Sequence, residues 1–162
     1  NVILNIKLIM SLYSISFFKT KLGYFTLKTY DQDIVILYPS KNRKKKIENK
    51  SDIHEKFYIN LNKYLSKKVT NFKYKVRQEG TFFQKLVWKE IAKIKYGQTT
   101  TYNKIAKKIN TSPRAVGNAC SKNKCLFIIP CHRVICSNGN IGGYVLGKKI
   151  KKYLINMEKN EQ

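Results

Sequence analysis

The run IIPCHRVI, residues 128–135, sets a thiol, an imidazole and a guanidinium side by side at Cys131, His132 and Arg133. Thiolate rather than thiol is the nucleophile, and a free cysteine titrates at about 8.5, so a reactive one needs a base or a positive field. His132 can supply the first, and Arg133 with its basic surroundings the second. Three outcomes compete: an activated nucleophile, half of a metal site, or a buried thiol beside a chance histidine, the commonest fate of a Cys–His pair. Along a regular strand the two side chains would point to opposite faces. Pro130 stops regular pairing where the thiol begins, so in the turn that follows the imidazole can reach the sulfur directly or through one water.

The four cysteines, Cys120, Cys125, Cys131 and Cys136, all lie in this segment, and the first 119 residues have none. Their C-x4-C-x5-C-x4-C spacing lacks the tight knuckles of structural zinc sites, so no metal is expected. A papain-like arrangement needs a histidine far from the cysteine in sequence, and His54 is the sole other one. The clustering does not resemble a disulfide-stapled secreted domain and implies a reducing, cytoplasmic setting.

A chain of 162 residues with 43% hydrophobic content can bury a core in one domain or two small ones. Its net charge of +24 draws it to polyanions, whether binding or AT-rich coding raised the lysine content. Nucleic acid is the expected partner. The stretch VILNIKLIM is too short and too interrupted to span a membrane; translation is expected to begin at Met10, with residues 1–9 as upstream read-through or an artefact.

Several elements must position the reactive pair. Residues 13–38 alternate as a three-stranded meander with turns at Lys21–Gly23 and Asp31–Asp33. KNRKKKIENK (41–50) reads as a solvated charged loop. Ser51 opens a helix whose stripe is Ile53, Phe57, Leu61 and Tyr64/Leu65, with His54 expected on the surface away from it. NFKYKV (71–76) is a short strand or a linker. Thr81 and Gln84 form a capping box for a helix carrying Phe83, Val87, Ile91 and Ile94 and ended by Gly97. The division falls at Arg77–Gly80, giving an N-terminal sheet-plus-helix domain (10–76) and a C-terminal domain (80–159).

In the second half, Tyr102, Ile105, Ala106 and Ile109 mark a short helix. Asn110–Ser112 turn the chain. Ser112 as N-cap and Pro113 at N1 start a second helix running to about Lys122. Together they fit a helix-turn-helix. The second helix begins with Arg114 and then small residues, Ala115, Val116, Gly117, which suits sequence-tolerant docking. LFIIP (126–130) reads as a buried strand, SNGN (137–140) as a turn, GYVLG (143–147) as a glycine-bounded loop. The final helix, Lys148–Glu158, should bury Ile150, Leu154 and Met157 and expose its lysines.

PCHRV, preceded by SPRAVGNACSKN and an aliphatic run, resembles the active-site signature of the O6-alkylguanine-DNA alkyltransferases. GTFFQKLVWKEIAKIKYGQTTTYNKIA and GGYVLGKKIKKYLINME extend the likeness over Gly80–Glu158, about half the chain. The resemblance implies an α+β fold: a small antiparallel sheet with a helix, then a mostly helical domain holding the helix-turn-helix and the acceptor cysteine. It implies irreversible transfer of an alkyl group from O6-alkylguanine in duplex DNA to Cys131, once per molecule, with O4-alkylthymine as a further candidate substrate. His132 would be the base, through a water, oriented by Glu158. Tyr102 would donate a proton to the departing guanine oxygen or hydrogen-bond the ring, and Asn123 would brace the active-site turn. Arg114 would replace the flipped nucleotide, with Ser112, Ala115 and Thr101 as DNA contacts. Tyr144, Gly142 and backbone groups at Val134 and Val145 would receive the base; some members carry serine where Val145 stands. Such attack needs no cofactor.

The rival expectation is a helix-turn-helix protein that binds DNA or senses lesions without chemistry; lesion-sensing relatives lack the cysteine that this chain has. No dimerisation element is evident, so a monomer is expected.

Overall fold

The computed structural model describes residues 12–41, 47–48, 52–70 and 73–159. Met10, Ser51 and most of the charged run 41–50 lie outside the described residues, as do the first two positions of NFKYKV. The chain divides into two compact units, residues 1–79 and 80–162.

In the first unit, strands β1 (Tyr13–Thr20), β2 (Gly23–Tyr30) and β3 (Asp33–Pro39) form the expected antiparallel meander. A two-residue strand β4 (Ile47–Glu48) adds to β1, giving the order β3-β2-β1-β4. This corrects the loop expected at 41–50: charge density obscured a short edge pairing, a position where charged side chains are common. Period-two alternation puts Ser16, Phe18, Phe25, Leu27 and Thr29 on the buried face. On β3 the register slips between Lys28 and Thr29, whose partners are Ile36 and Ile34. The extra residue, Val35, lets Ile34 and Leu37 both turn inward despite their odd spacing. Residues 73–75 form no regular strand, and Val76 makes one parallel bridge to Ile34.

Helix α1 (Asp52–Leu65) buries Ile53, His54, Phe57, Leu61, Tyr64 and Leu65. His54 is therefore a core residue, 4% exposed, and the surface placement expected from sequence is wrong. The reason is periodicity: positions 54, 57, 61, 64 and 65 themselves share one helical face. On the sheet's buried face the hydroxyls of Ser16 and Thr29 need partners. His54 meets both, Nδ1 lying 2.6 Å from Ser16 Oγ and Nε2 lying 3.0 Å from Thr29 Oγ1.

The second unit opens with helix α2 (Phe82–Ile91), started by the expected capping box: Gln84 N donates to Thr81 Oγ1 and Thr81 N to Gln84 Oε1. Gly80 is required here, because a Cβ would lie 2.5 Å from the Trp88 ring. The helix ends at Ile91 with Ala92 as C-cap, short of the expected Gly97, and Trp88 joins Val87 and Ile91 in the core. Trp88 Nε1 donates to Ala119 O, fastening α2 to the helix that contains Ala119.

Strand β5 (Thr100–Thr101) leads into α3 (Tyr102–Lys108), and α4 (Pro113–Ser121) follows. Thr101 and Ser112 cap the two helices, accepting from Lys104 N and Ala115 N. Asn110 closes α3 with φ of 54°, and Thr111 N reaches back to Ala106 O, the asparagine form of a left-handed C-cap. The helix-turn-helix is thus specified locally. Strand β6 (Val134–Ile135) pairs in parallel with β5, and helix α5 (Lys148–Lys159) completes the unit.

Two expectations fail here. LFIIP is not a strand: residues 126–128 form a turn and Ile129 a bend, with Phe127 at φ of 65°. A short aliphatic run shows only that it is buried, and in this segment Ile129 N turns back to Cys125 O. Helix α5 buries Lys151, Leu154, Ile155, Met157 and Glu158, so its lysines are not uniformly exposed and Ile150 is only half-buried. Positions 151, 154, 155 and 158 form the i, i+3, i+4, i+7 face. Among the described residues no helix is long and apolar enough to cross a membrane.

Candidate functional site

Cys131, His132 and Arg133 form a single 3₁₀ turn between Pro130 and β6, and all three are buried. The turn is built by Asn123, in the segment leaving α4. Its Oδ1 accepts from Cys125 N at 2.9 Å, and its Nδ2 donates to Ile129 O at 2.8 Å and to Cys131 Sγ at 3.2 Å. One amide thereby bends the aliphatic segment back on itself and touches the sulfur.

His132 points toward α5, where its Nε2 lies 2.8 Å from Glu158 Oε1. A carboxylate only accepts, so Nε2 carries the proton and Nδ1 is the basic nitrogen. Arg133 grips the same carboxylate, Nε donating to Oε2 at 2.8 Å and Nη2 to Oε1 at 3.0 Å, while Nη1 reaches Ile94 O at 2.7 Å. Its charge is spent on Glu158, so the expected field of Arg133 on the thiol is replaced by a positioning role. Gly97 N also donates to Glu158 Oε2.

Burial pushes the Glu158 carboxyl up, yet the hydrogen bonds from His132 and Arg133 outweigh it and hold the group at about 2. Burial lowers the pKa of His132 against the opposing pull of Glu158, which keeps the ring neutral and able to accept a proton. Burial raises the Cys131 thiol, opposed by the Asn123 hydrogen bond and the charge of Lys151. The resting state is a neutral thiol beside a neutral imidazole, poised for proton transfer when a substrate arrives.

Tyr102, at the start of α3, comes to this site through the β5–β6 pairing, since Thr101 stands opposite Ile135. Its hydroxyl accepts from Lys151 Nζ at 3.3 Å, and burial raises its pKa. A Cβ on Gly142 would lie 3.3 Å from both Tyr102 Oη and Cys136 Sγ, with φ at +74°, so glycine is demanded there twice over. The Tyr144 ring stands edge-on to His132, centroids 6.2 Å apart. Val134 is fully buried and Val145 is 43% exposed. Phe127, in its left-handed conformation, places its ring 6.3 Å from that of His132.

Cys131, His132, Glu158, Asn123, Tyr102 and Tyr144 thus converge. Arg114 and Ser112 are exposed at the start of α4, while Ala115 and Thr101 are half-buried beside them at the helix-turn-helix. Sequence reasoning missed two participants, the Glu158-clamping role of Arg133 and the buried Lys151. Lys151 carried a signal: it sits seven residues before Glu158, on the same helical face. Among the described residues, no group of three or more His, Cys, Asp or Glu side chains is placed to hold a metal ion.

Comparison with known proteins adds the following. The family model described as "6-O-methylguanine DNA methyltransferase, DNA binding domain" matches residues 82–160. A methylated-DNA–protein-cysteine methyltransferase of Saccharolobus islandicus is 40% identical over 141 residues, covering 87% of this chain and 92% of that protein. Its counterpart in Methanosarcina barkeri is 46% identical over 116 residues, covering 70% and 73%. Among solved structures, Mycobacterium tuberculosis OGT in complex with DNA superposes with a TM-score of 0.79 at 31% identity, over 89% of this chain and 91% of that one.

Proposed function

The chain belongs to the methylated-DNA–protein-cysteine methyltransferase family, and we propose from the geometry above that Cys131 is its alkyl acceptor. The protein repairs DNA directly, moving an alkyl group from O6-alkylguanine to its own cysteine, with duplex DNA as partner. The observation that carries the assignment is the convergence on one buried turn: Asn123 Nδ2 lies 3.2 Å from Cys131 Sγ, and the adjacent His132 is held by Glu158 at 2.8 Å.

His132 takes the thiol proton on Nδ1, by way of a bridging water, and Glu158 stabilises the imidazolium that forms. The thiolate attacks the alkyl carbon in line, the carbon–O6 bond breaks, and its electron pair leaves with guanine, which takes a proton from the Tyr102 hydroxyl. The thioether is a poor leaving group, so each molecule reacts once. Tyr144, Gly142 and the backbone at Val134 and Val145 form the base pocket; the backbone N–H of Val145 is retained there, with no side-chain hydroxyl.

The lesion's oxygen is hidden in a duplex, so the base must be extruded at a cost of about a few kcal/mol. Arg114, exposed at the start of α4, fills the gap, with Ser112, Ala115 and Thr101 seating the helix-turn-helix on the backbone. Small residues at the start of α4 allow close approach in any sequence context, as repair requires.

The test is to incubate the protein with a duplex holding one O6-methylguanine and weigh it intact. A gain of one methylene, mapped to Cys131 and saturating at one equivalent, is expected, and Cys131→Ala should lose the gain while keeping its DNA affinity. DNA bound with no mass gain would sink the assignment. Arg114→Ala should slow repair of the duplex far more than reaction with free O6-benzylguanine.

A further inference from the structure

Lys151 is the one lysine with no exposed surface among the described residues, and nothing in the acceptor relay uses it. Its position is unfavourable on two counts. An ammonium taken out of water loses the solvation that stabilises its charge. It also lies in the first turns of α5, whose N-terminal end carries the positive pole of the helix dipole. Two acceptors offset this: Tyr102 Oη at 3.3 Å and Gly143 O at 3.1 Å.

An ammonium has donors only. Lys151 therefore occupies a lone pair of the Tyr102 oxygen, and the phenolic proton must point away from it. We infer that Lys151 is a positioning residue for alkyl transfer, fixing the Tyr102 O–H as a donor toward guanine and stabilising the phenolate left behind. This rests on the role proposed for Tyr102 above. The balance is complete. Sulfur gains the alkyl carbon, the carbon–O6 pair goes to guanine, guanine takes the Tyr102 proton, and the Tyr102 phenolate remains beside the Lys151 ammonium.

The rival role for the same charge is to stabilise the Cys131 thiolate. The groups whose charges act on Lys151 are Cys131, Cys120 and Cys136, and it acts in turn on His132. Two reagents separate the roles. Iodoacetamide alkylates the same sulfur but expels iodide, which needs no proton, whereas O6-methylguanine needs one.

In Lys151→Met, single-turnover methyl transfer from duplex O6-methylguanine should fall about 10²-fold, the lower end of what acid–base assistance contributes. Carbamidomethylation of Cys131, mapped by peptide mass, should slow far less, by only the opposing effect of the Lys151 charge on the thiol. Tyr102→Phe should show the same selective loss, and the double variant no more than either single one, as expected of residues acting through one contact. Lys151→Arg keeps a permanent charge and should retain most of the rate. It should also lack the alkaline fall that the unsubstituted protein shows once Lys151 deprotonates, below its ordinary value of 10.5 because burial lowers it. Equal slowing of both reagents in Lys151→Met would overturn this role in favour of thiolate stabilisation, and additive losses with Tyr102→Phe would overturn it as well. Should Lys151→Met not fold, an alkaline fall that persists in Lys151→Arg has the same force. Failure of the parent assignment appears separately, as no methyl on Cys131 of the unsubstituted protein.

Discussion

His54 and His132 are the two histidines of the chain; both are buried, one in each unit, in opposite chemical settings. His54 sits between two neutral hydroxyls, Ser16 and Thr29, on the buried face of the sheet. His132 sits beside a carboxylate that is itself clamped by a guanidinium. Burial lowers the pKa of both rings. Among the described residues, only His132 has an anion that stabilises its charged form, and it adjoins Cys131 in the chain. A buried histidine is a structural linker where its partners are neutral, and it becomes a proton acceptor where a fixed negative charge waits for the proton.

The largest expected difference is in rate. His132→Gln preserves an amide's hydrogen bonding but removes the base, and should slow methyl transfer by about 10²–10⁴-fold, the usual worth of general base catalysis. His54→Gln should leave the single-turnover rate where it is. A comparable loss in both variants would mean that the two rings do not differ in kind.

The next difference is in stability. Glu158→Gln leaves the buried Arg133 without its counter-charge and should cost about 3–5 kcal/mol in urea unfolding. Ser16→Ala strips one neutral partner from His54 and should cost only about 1–3 kcal/mol. A reversed order would show that the charged cluster is better solvated than its burial implies.

The smallest effects are those of pH, and they carry a sign. Both histidines fold with pKa values below the ordinary 6.5, so the unfolded chain protonates first and stability falls as pH drops from 6.5 through the folded values. Glu158, held at about 2, contributes above the carboxylate's ordinary 4.5 and loses that contribution as pH falls from 4.5 toward 2. Urea midpoints measured against pH should therefore decline in two windows, with His54→Gln flattening the upper one. The acid limb of methyl transfer should lie below pH 6.5, because His132 stays neutral to lower pH than a free imidazole. A limb above 6.5 would mean that Glu158 raises the ring's pKa more than burial lowers it.

The two histidines also mark where the sequence was legible. Local rules carried far: the meander followed from alternation and turn residues, and Thr81–Gln84 and Ser112–Pro113 announced two helix starts whose caps are satisfied within a few residues. The surface placement of His54 failed because the stripe was counted from Ile53, although Phe57, Leu61 and Leu65 fit position 54 as well. Ser16 and Thr29 were the missed signal, two hydroxyls on the inward parity of their strands that required a polar partner from the covering helix. LFIIP failed for a different reason. Hydrophobicity reports burial without naming a backbone conformation, and the turn there is imposed by Asn123 from outside the segment.

By itself the sequence determined what short-range chemistry determines: helix starts, tight turns, strand parity, the basic character of the chain and the adjacency of Cys131 to His132. Tertiary structure alone decided which charges are spent and on what. Arg133 looked like a field for the thiol until α5 brought Glu158 within 2.8 Å of it, and Lys151 looked like one lysine of a solvated face until it met Tyr102. Charge is a property of a residue, but its effect depends on the nearest counter-charge and on how much water remains between them. Both of those are set by packing between segments distant in the chain.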